Sequence, residues 1–189
     1  GQKVLIHAGS GGVGTLAIQL AKHLGAFVAT TTSSANVEWL KALGADRVID
    51  YTREDFASEL RDYDVVLNSL GADVLEQSIK VLKPGGQLIS ISGPPTAAFA
   101  QEQGLSWGLR QVMRLLSSGI RRKARKQGVT YRFLFMRADG AQLQAITALI
   151  ESGAIKPVID RTFPFQQTAD ALSYVEQGRA KGKVVVTVS

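Results

Sequence analysis

The chain contains no cysteine. That absence excludes a disulfide framework, a thiolate nucleophile, an iron–sulfur cluster and any Cys-ligated zinc. Histidine is nearly absent too: His7 and His23 are the only two. No metal site is therefore expected. His7 reads as a strand residue and His23 as a helix-surface residue. No apolar run approaches the roughly 20 residues that a membrane span needs. Gly1-Gln2-Lys3-Val4 runs straight into a strand pattern, so no secretory leader is expected. The default expectation is a soluble, cytoplasmic protein.

Acidic residues are missing from one stretch. Residues 110–137 hold nine basic side chains and no acid, including Arg121, Arg122, Lys123, Arg125 and Lys126. The other 13 basic residues face all 16 acidic ones, which leaves the rest of the chain at −3. The overall charge of +6 is thus a local feature. It gives no global argument for nucleic-acid binding, and only this cluster could contact an anionic partner. The plain alternative is a solvated helix end and loop.

What is present is ordinary for one globular domain: 189 residues, 45% hydrophobic and 20% charged. Short apolar runs alternate with helically spaced ones. Val4–Ala8, Phe27–Thr32, Arg47–Asp50, Asp64–Asn68, Gln87–Ser92 and Thr130–Phe135 read as strands. Helices are expected over 13–24, from Ser33 or Ser34 to Gly44, over 53–60, 74–82 and 141–150, and within 96–128. Lys83-Pro84-Gly85-Gly86 reads as a breaker and turn. A further extended segment (158–163), a helix (168–175) and a strand (183–188) close the chain. This order suits a six-stranded, doubly wound parallel sheet with helices on both faces, the α/β Rossmann fold.

Gly9-Ser10-Gly11-Gly12-Val13-Gly14 fits G-x-G-x-x-G between a strand and a helix. In that setting the first glycine permits the tight turn. The second admits a pyrophosphate, and the third lets helix and strand pack closely. The helix N-terminus faces the phosphates. The end of the second strand reads the dinucleotide. NAD enzymes carry an acid there, whereas this chain has Thr32, Ser33 and Ser34 and no acid before Glu38. Small hydroxyls favour NADP(H), although Ser33 and Ser34 could equally cap the next helix.

The glycine loop, together with Ala17-Ile18-Gln19-Leu20-Ala21-Lys22, Leu43-Gly44-Ala45-Asp46, Ile49-Asp50-Tyr51, residues 81–88, Lys156-Pro157-Val158-Ile159-Asp160 and residues 178–185, resembles the medium-chain dehydrogenase/reductase superfamily. The resemblance is to its zinc-independent, quinone-oxidoreductase-like branch, and it spans nearly the whole chain in family order. It implies hydride transfer from NADPH to a small acceptor, a quinone or an enone. An enoyl or alkenal reductase, or a non-catalytic nucleotide-binding protein with a basic face, are the alternatives. By analogy Ser10, Gly11, Gly12 and Val13 lie against the pyrophosphate, and Thr32, Ser33 and Ser34 face the 2′-phosphate. Tyr51 packs by the adenine ribose. Asn68, Leu70, Ser92 and Gly93 line the cleft, and Phe133, Leu134 and Phe135 hold the nicotinamide amide. No catalytic residue follows. Many relatives carry a lysine just beyond the serine pair, where this chain has Asn36 and Val37. Lys41 and Arg53 are the nearby cations that could substitute. The resemblance assigns 1–159 to the cofactor domain. It assigns 160–189 to a strand–helix–strand that in the family packs against a GroES-like domain, which is not seen in this sequence. The chain alone is accordingly expected to bind NADPH weakly and not to turn over. Relatives often dimerise through the sixth strand, and Thr130–Phe135 is a candidate edge for that.

Overall fold

The structure, a computed structural model, describes residues 1–188. Six strands form one sheet: β1 (Lys3–Ile6), β2 (Phe27–Thr32), β3 (Arg47–Asp50), β4 (Tyr63–Asn68), β5 (Leu82–Ser90) and β6 (Thr130–Phe133). Their order is β3-β2-β1-β4-β5-β6 and every pair is parallel. The strand order reverses between β1 and β4, the point at which such sheets bind ligands. The expected Rossmann architecture is therefore present.

Period-two alternation explains the two cores. Leu5, Ala29 and Ile49 point to one face, where Val66, Leu88, Leu75 and Ile79 join them. Their chain neighbours Ile6, Val28 and Val48 point to the other, with Ile18 and Leu40. Helices α1 (Gly14–His23) and α2 (Val37–Ala42) cover the second face. Helices α3 (Phe56–Glu59), α4 (Ala72–Val81) and later α7 (Ser118–Lys126) cover the first. Between them in sequence lie α5 (Ala97–Glu102) and α6 (Trp107–Leu116), and α8 (Gly140–Glu151) follows β6. The chain ends in β7 (Ile159–Pro164), α9 (Thr168–Glu176) and β8 (Lys183–Thr187). β7 and β8 pair in parallel as a separate two-stranded sheet. No helix of the described residues is long and apolar enough to cross a membrane.

Several expected elements differ in extent. β1 stops at Ile6, because Ala8 takes a left-handed φ of 52° as the chain turns into the glycine loop. The 53–60 helix shrinks to α3, whose start is fixed by Asp55 accepting from the Ala57 amide at 3.0 Å. The expected breaker at 83–86 lies inside β5, across a register shift, and the Gly85 amide donates to Gly128 O at 2.8 Å. β6 ends at Phe133, although the Leu134 amide still donates to Ser90 O. Neither Ser33 nor Ser34 caps the next helix with its hydroxyl. Asn36 Nδ2 donates to Ser33 Oγ, and Ser34 Oγ donates to Asp50.

Candidate nucleotide-binding site

The glycine loop is built by close approach. A Cβ on Gly14 would sit 2.4 Å from Ala8 O, and one on Gly9 would sit 2.1 Å from Thr30 Oγ1. Both are far inside contact distance, so α1 can leave β1 this tightly only with glycine at these positions. The Gly11 amide donates to Ala8 O at 3.0 Å, which closes the turn. α1 then begins at Gly14 with no side-chain cap and no acid in its first turn. Its free N–H groups are a ready site for phosphate oxygens.

A cavity of about 760 Å³ opens at these strand ends. It brings together Ser10, Thr32, Ser33, Tyr51 and Leu70 of the expected residues. Thr32 Oγ1 donates to Ser10 Oγ at 3.3 Å, which ties the end of β2 to the glycine loop. Val13 is half-exposed at the N-terminus of α1. Gly12 lies under the C-terminal segment: a Cβ there would be 3.1 Å from Lys183 Nζ and 3.2 Å from Gly182 O.

Other expected residues lie elsewhere. Ser34 is outside the cavity, with its hydroxyl 2.5 Å from Asp50 Oδ2. Asn68 is fully buried and does not line the cavity. Its Oδ1 accepts from Ser90 Oγ at 3.1 Å and lies 3.3 Å from Ser92 Oγ, so it braces the ends of β4 and β5, while its Nδ2 has no partner. Ser92 and Gly93 form the neighbouring turn. Ser92 Oγ donates to Leu70 O at 2.7 Å, and the Gly93 amide donates to Ser90 Oγ at 2.8 Å. Phe133 stacks with Phe135 and meets Phe99 edge-on at 5.0 Å. Leu134 and Phe135 are exposed beside it.

The electrostatics of the cavity turn on which charges are free. Asp50, the acid nearest the serines, is occupied. It accepts from Ser34 Oγ, Thr52 Oγ1 and the Thr52 amide, and these bonds hold its carboxyl below the usual range. Lys41 pairs with Glu38 and Arg53 with Asp50, so neither supplies a cation to the cavity. That role falls to residues the sequence reading did not single out, Arg179 and Lys181. Both are exposed on the cavity wall, and neither is ion-paired among the described residues. Gly178 and Gly182, with φ of 69° and 77°, bracket them and turn the segment across the site. The Gly182 amide donates to Ser10 O at 2.9 Å, which pins the segment to the glycine loop. A basic pair framed by glycines was the available signal.

This donor set suits a dinucleotide. The glycine cradle has no room for a Cβ, hydroxyls from β2 and the following turn face the cavity, and two free cations stand beside them. Among the described residues no cluster of three or more His, Asp or Glu could hold a metal ion.

Residues 43–186 match the family model described as zinc-binding dehydrogenase. The chain is 37% identical to "NAD(P)H oxidoreductase RTN4IP1, mitochondrial" of Danio rerio, over 99% of this chain and 49% of that protein. It is 36% identical to "NADPH-dependent alkenal/one oxidoreductase, chloroplastic" of Arabidopsis thaliana, over 98% of this chain and 40% of that one. Among solved structures it superposes on the quinone oxidoreductase from Coxiella burnetii with a TM-score of 0.82 at 33% identity, covering 100% of this chain and 53% of the other. The chain thus spans about half the length of the curated relatives it matches.

Proposed function

The chain belongs to the zinc-binding dehydrogenase family, within the quinone-oxidoreductase-like part of the medium-chain dehydrogenase/reductase superfamily, and on that premise we propose that it is the NADP(H)-binding domain of a zinc-independent reductase. The reaction would move a hydride to a small quinone or α,β-unsaturated carbonyl. Bound NADPH supplies that hydride. The observation that carries the reading is the cavity wall. Thr32, Ser33 and Tyr51 face Arg179 and Lys181 there, and the nearest acid, Asp50, is held by other partners.

In this reading each group has a physical task. The α1 N-terminus and the glycine loop take the pyrophosphate, and Lys183 adds positive charge over Gly12. Arg179 and Lys181 take the 2′-phosphate with charge-assisted bonds, and the hydroxyls of Ser33 and Tyr51 complete its shell. Asn68 acts as a positioning residue through Ser90 and Ser92. The backbone of residues 133–135 orients the nicotinamide. The chain's part in the reaction would be to hold the nicotinamide against the acceptor, the accompanying proton being taken up from solvent. The β7–α9–β8 unit is read as the surface that meets a GroES-like domain of the longer protein.

The reading is tested by calorimetric titration with NADPH and NADH. NADPH should bind more tightly. R179Q/K181Q should lower NADPH affinity about tenfold or more and leave NADH unchanged, since a bond to a charged group contributes about 1.5–3 kcal/mol. Equal affinities in the unsubstituted chain would refute it. The names of the relatives support both a quinone and an enone as acceptor. A panel of both, offered to the longer protein, separates them.

A further inference from the structure

Arg179 and Lys181, the cations of the cavity wall, stand on a turn outside any helix or strand. Three successive amides fix that turn. Lys181 N donates to Asp160 Oδ2 at 3.1 Å, Gly182 N to Ser10 O at 2.9 Å and Lys183 N to Val158 O at 2.8 Å. Two of these acceptors are backbone carbonyls, which any sequence would supply. Asp160, in the second position of β7, is the side-chain acceptor among them. A Cβ on Gly182 would strike the Val158 carbonyl, so the turn packs directly on the residues that lead into β7.

Aspartate is depleted in strands, and this one is partly buried. No cation takes up its charge. The adjacent Arg161 lies over the Tyr174 ring, 4.3 Å from the centroid, and among the described residues neither it nor the Lys181 ammonium pairs with Asp160. The carboxylate is spent on neutral donors instead. Tyr174 Oη donates to Oδ2 at 2.6 Å, and the Lys181 amide donates to the same oxygen. These bonds hold the carboxyl below its usual range, so it is ionised at neutral pH. Cohesion of the β7–α9–β8 unit accounts for the Tyr174 bond, which joins β7 to α9. It does not account for the Lys181 bond, because β8 is already laddered to β7 from Lys183 onward. What that bond adds is a fixed place for a residue whose ammonium stays free on the cavity wall.

We propose that Asp160 is a positioning residue for nucleotide discrimination: by gripping the Lys181 amide and not its ammonium, it holds Arg179 and Lys181 where they meet a 2′-phosphate. A turn already held in its binding geometry spares the ordering cost on association. The inference rests on the reading that these two cations meet that phosphate.

The test is calorimetric titration of the chain and its variants with NADPH and with NADH. D160A should weaken NADPH about tenfold and NADH by less than about twofold. Both bonds fall on one oxygen, which an amide oxygen can replace, so D160N should stay within about threefold of the unsubstituted chain for NADPH. Added to R179Q/K181Q, D160A should change NADPH affinity no further, because the groups it presents are gone. D160V, which suits a strand better, repeats the test if D160A melts early. Equal losses for the two nucleotides overturn the proposal, as does full NADPH affinity in D160A or a loss in D160N as large as in D160A. A further loss of about tenfold on adding D160A to R179Q/K181Q overturns it too, because the acid would then act on the fold and not through the two cations. These outcomes leave the cofactor reading standing. That reading, and the inference with it, falls if R179Q/K181Q keeps its preference for NADPH.

Discussion

His7 sits just past β1, 2% exposed, with the edge of its ring contact on Phe56 at 4.7 Å. Its hydrogen bonds form a directed chain. The Ala8 amide donates to Thr31 Oγ1, which lies 3.1 Å from His7 Nδ1. His7 Nε2 lies 2.9 Å from Ser78 Oγ, whose proton goes to Val74 O. That order selects the neutral imidazole with its proton on Nε2, and a second proton on Nδ1 would face the Thr31 hydroxyl. Burial pushes the pKa from 6.5 down to about 4. The unfolded chain therefore binds the proton first as pH falls. The stability this group contributes is present above pH 6.5 and is lost as pH falls toward 4. The shift predicts a loss of about 2 kcal/mol between pH 7 and pH 5. Urea denaturation at the two pH values measures it, and H7N should lack this drop. The sequence placed His7 beside the loop, but Ser78 lies 71 positions away on α4, a distance that no local pattern spans.

Glycine gives opposite signs in different elements. At Gly14 an added methyl meets the Ala8 carbonyl at 2.4 Å, and backbone cannot yield as a side-chain tip can. G14A should cost about 1–3 kcal/mol and displace α1 from the glycine loop, abolishing NADPH binding. At Gly108 of α6 and Gly119 of α7 a Cβ meets nothing within 4 Å. G108A and G119A should each stabilise by up to about 1 kcal/mol through helix propensity. Thermal melts with and without NADPH read both results. These differences also mark what a sequence can show at this scale. The six strands were readable because Leu5/Ile6, Val28/Ala29 and Val48/Ile49 feed two cores and so form continuous apolar runs. The glycine loop was readable because it stands between such a run and a helical repeat. The start of β5 was not, because Pro84 and Gly85 look like punctuation until Gly128 O receives the Gly85 amide from 43 positions away. Arg179 and Lys181 were missed for the same reason: their cavity exists only once Gly182 reaches Ser10.

Across the whole molecule the two sheets differ in how they are held. The central sheet is backed on both faces by buried side chains, whereas in the β7–α9–β8 unit Ala171 is the one fully buried hydrophobic among the described residues. The unit is tied to the main body by polar bonds: Gly182 N to Ser10 O, and Gln19 exchanging two bonds with the backbone of Lys156. Few buried apolar contacts and solvent-facing hydrogen bonds are the marks of a segment that opens locally below the global unfolding free energy. Hydrogen exchange should therefore show amides of residues 178–187 exchanging well ahead of those in β1, β2 and β4. NADPH bridging the glycine loop to Arg179 and Lys181 would bind only the closed arrangement and stabilise it by mass action, about 2.7 kcal/mol at a hundredfold excess over Kd. Protection of residues 178–183 should rise by about two orders of magnitude at that excess. NADH, without the 2′-phosphate, should give a smaller gain at the same concentration. If NADPH slowed exchange in the glycine loop while leaving residues 178–183 unchanged, the cations of this segment would not touch the nucleotide.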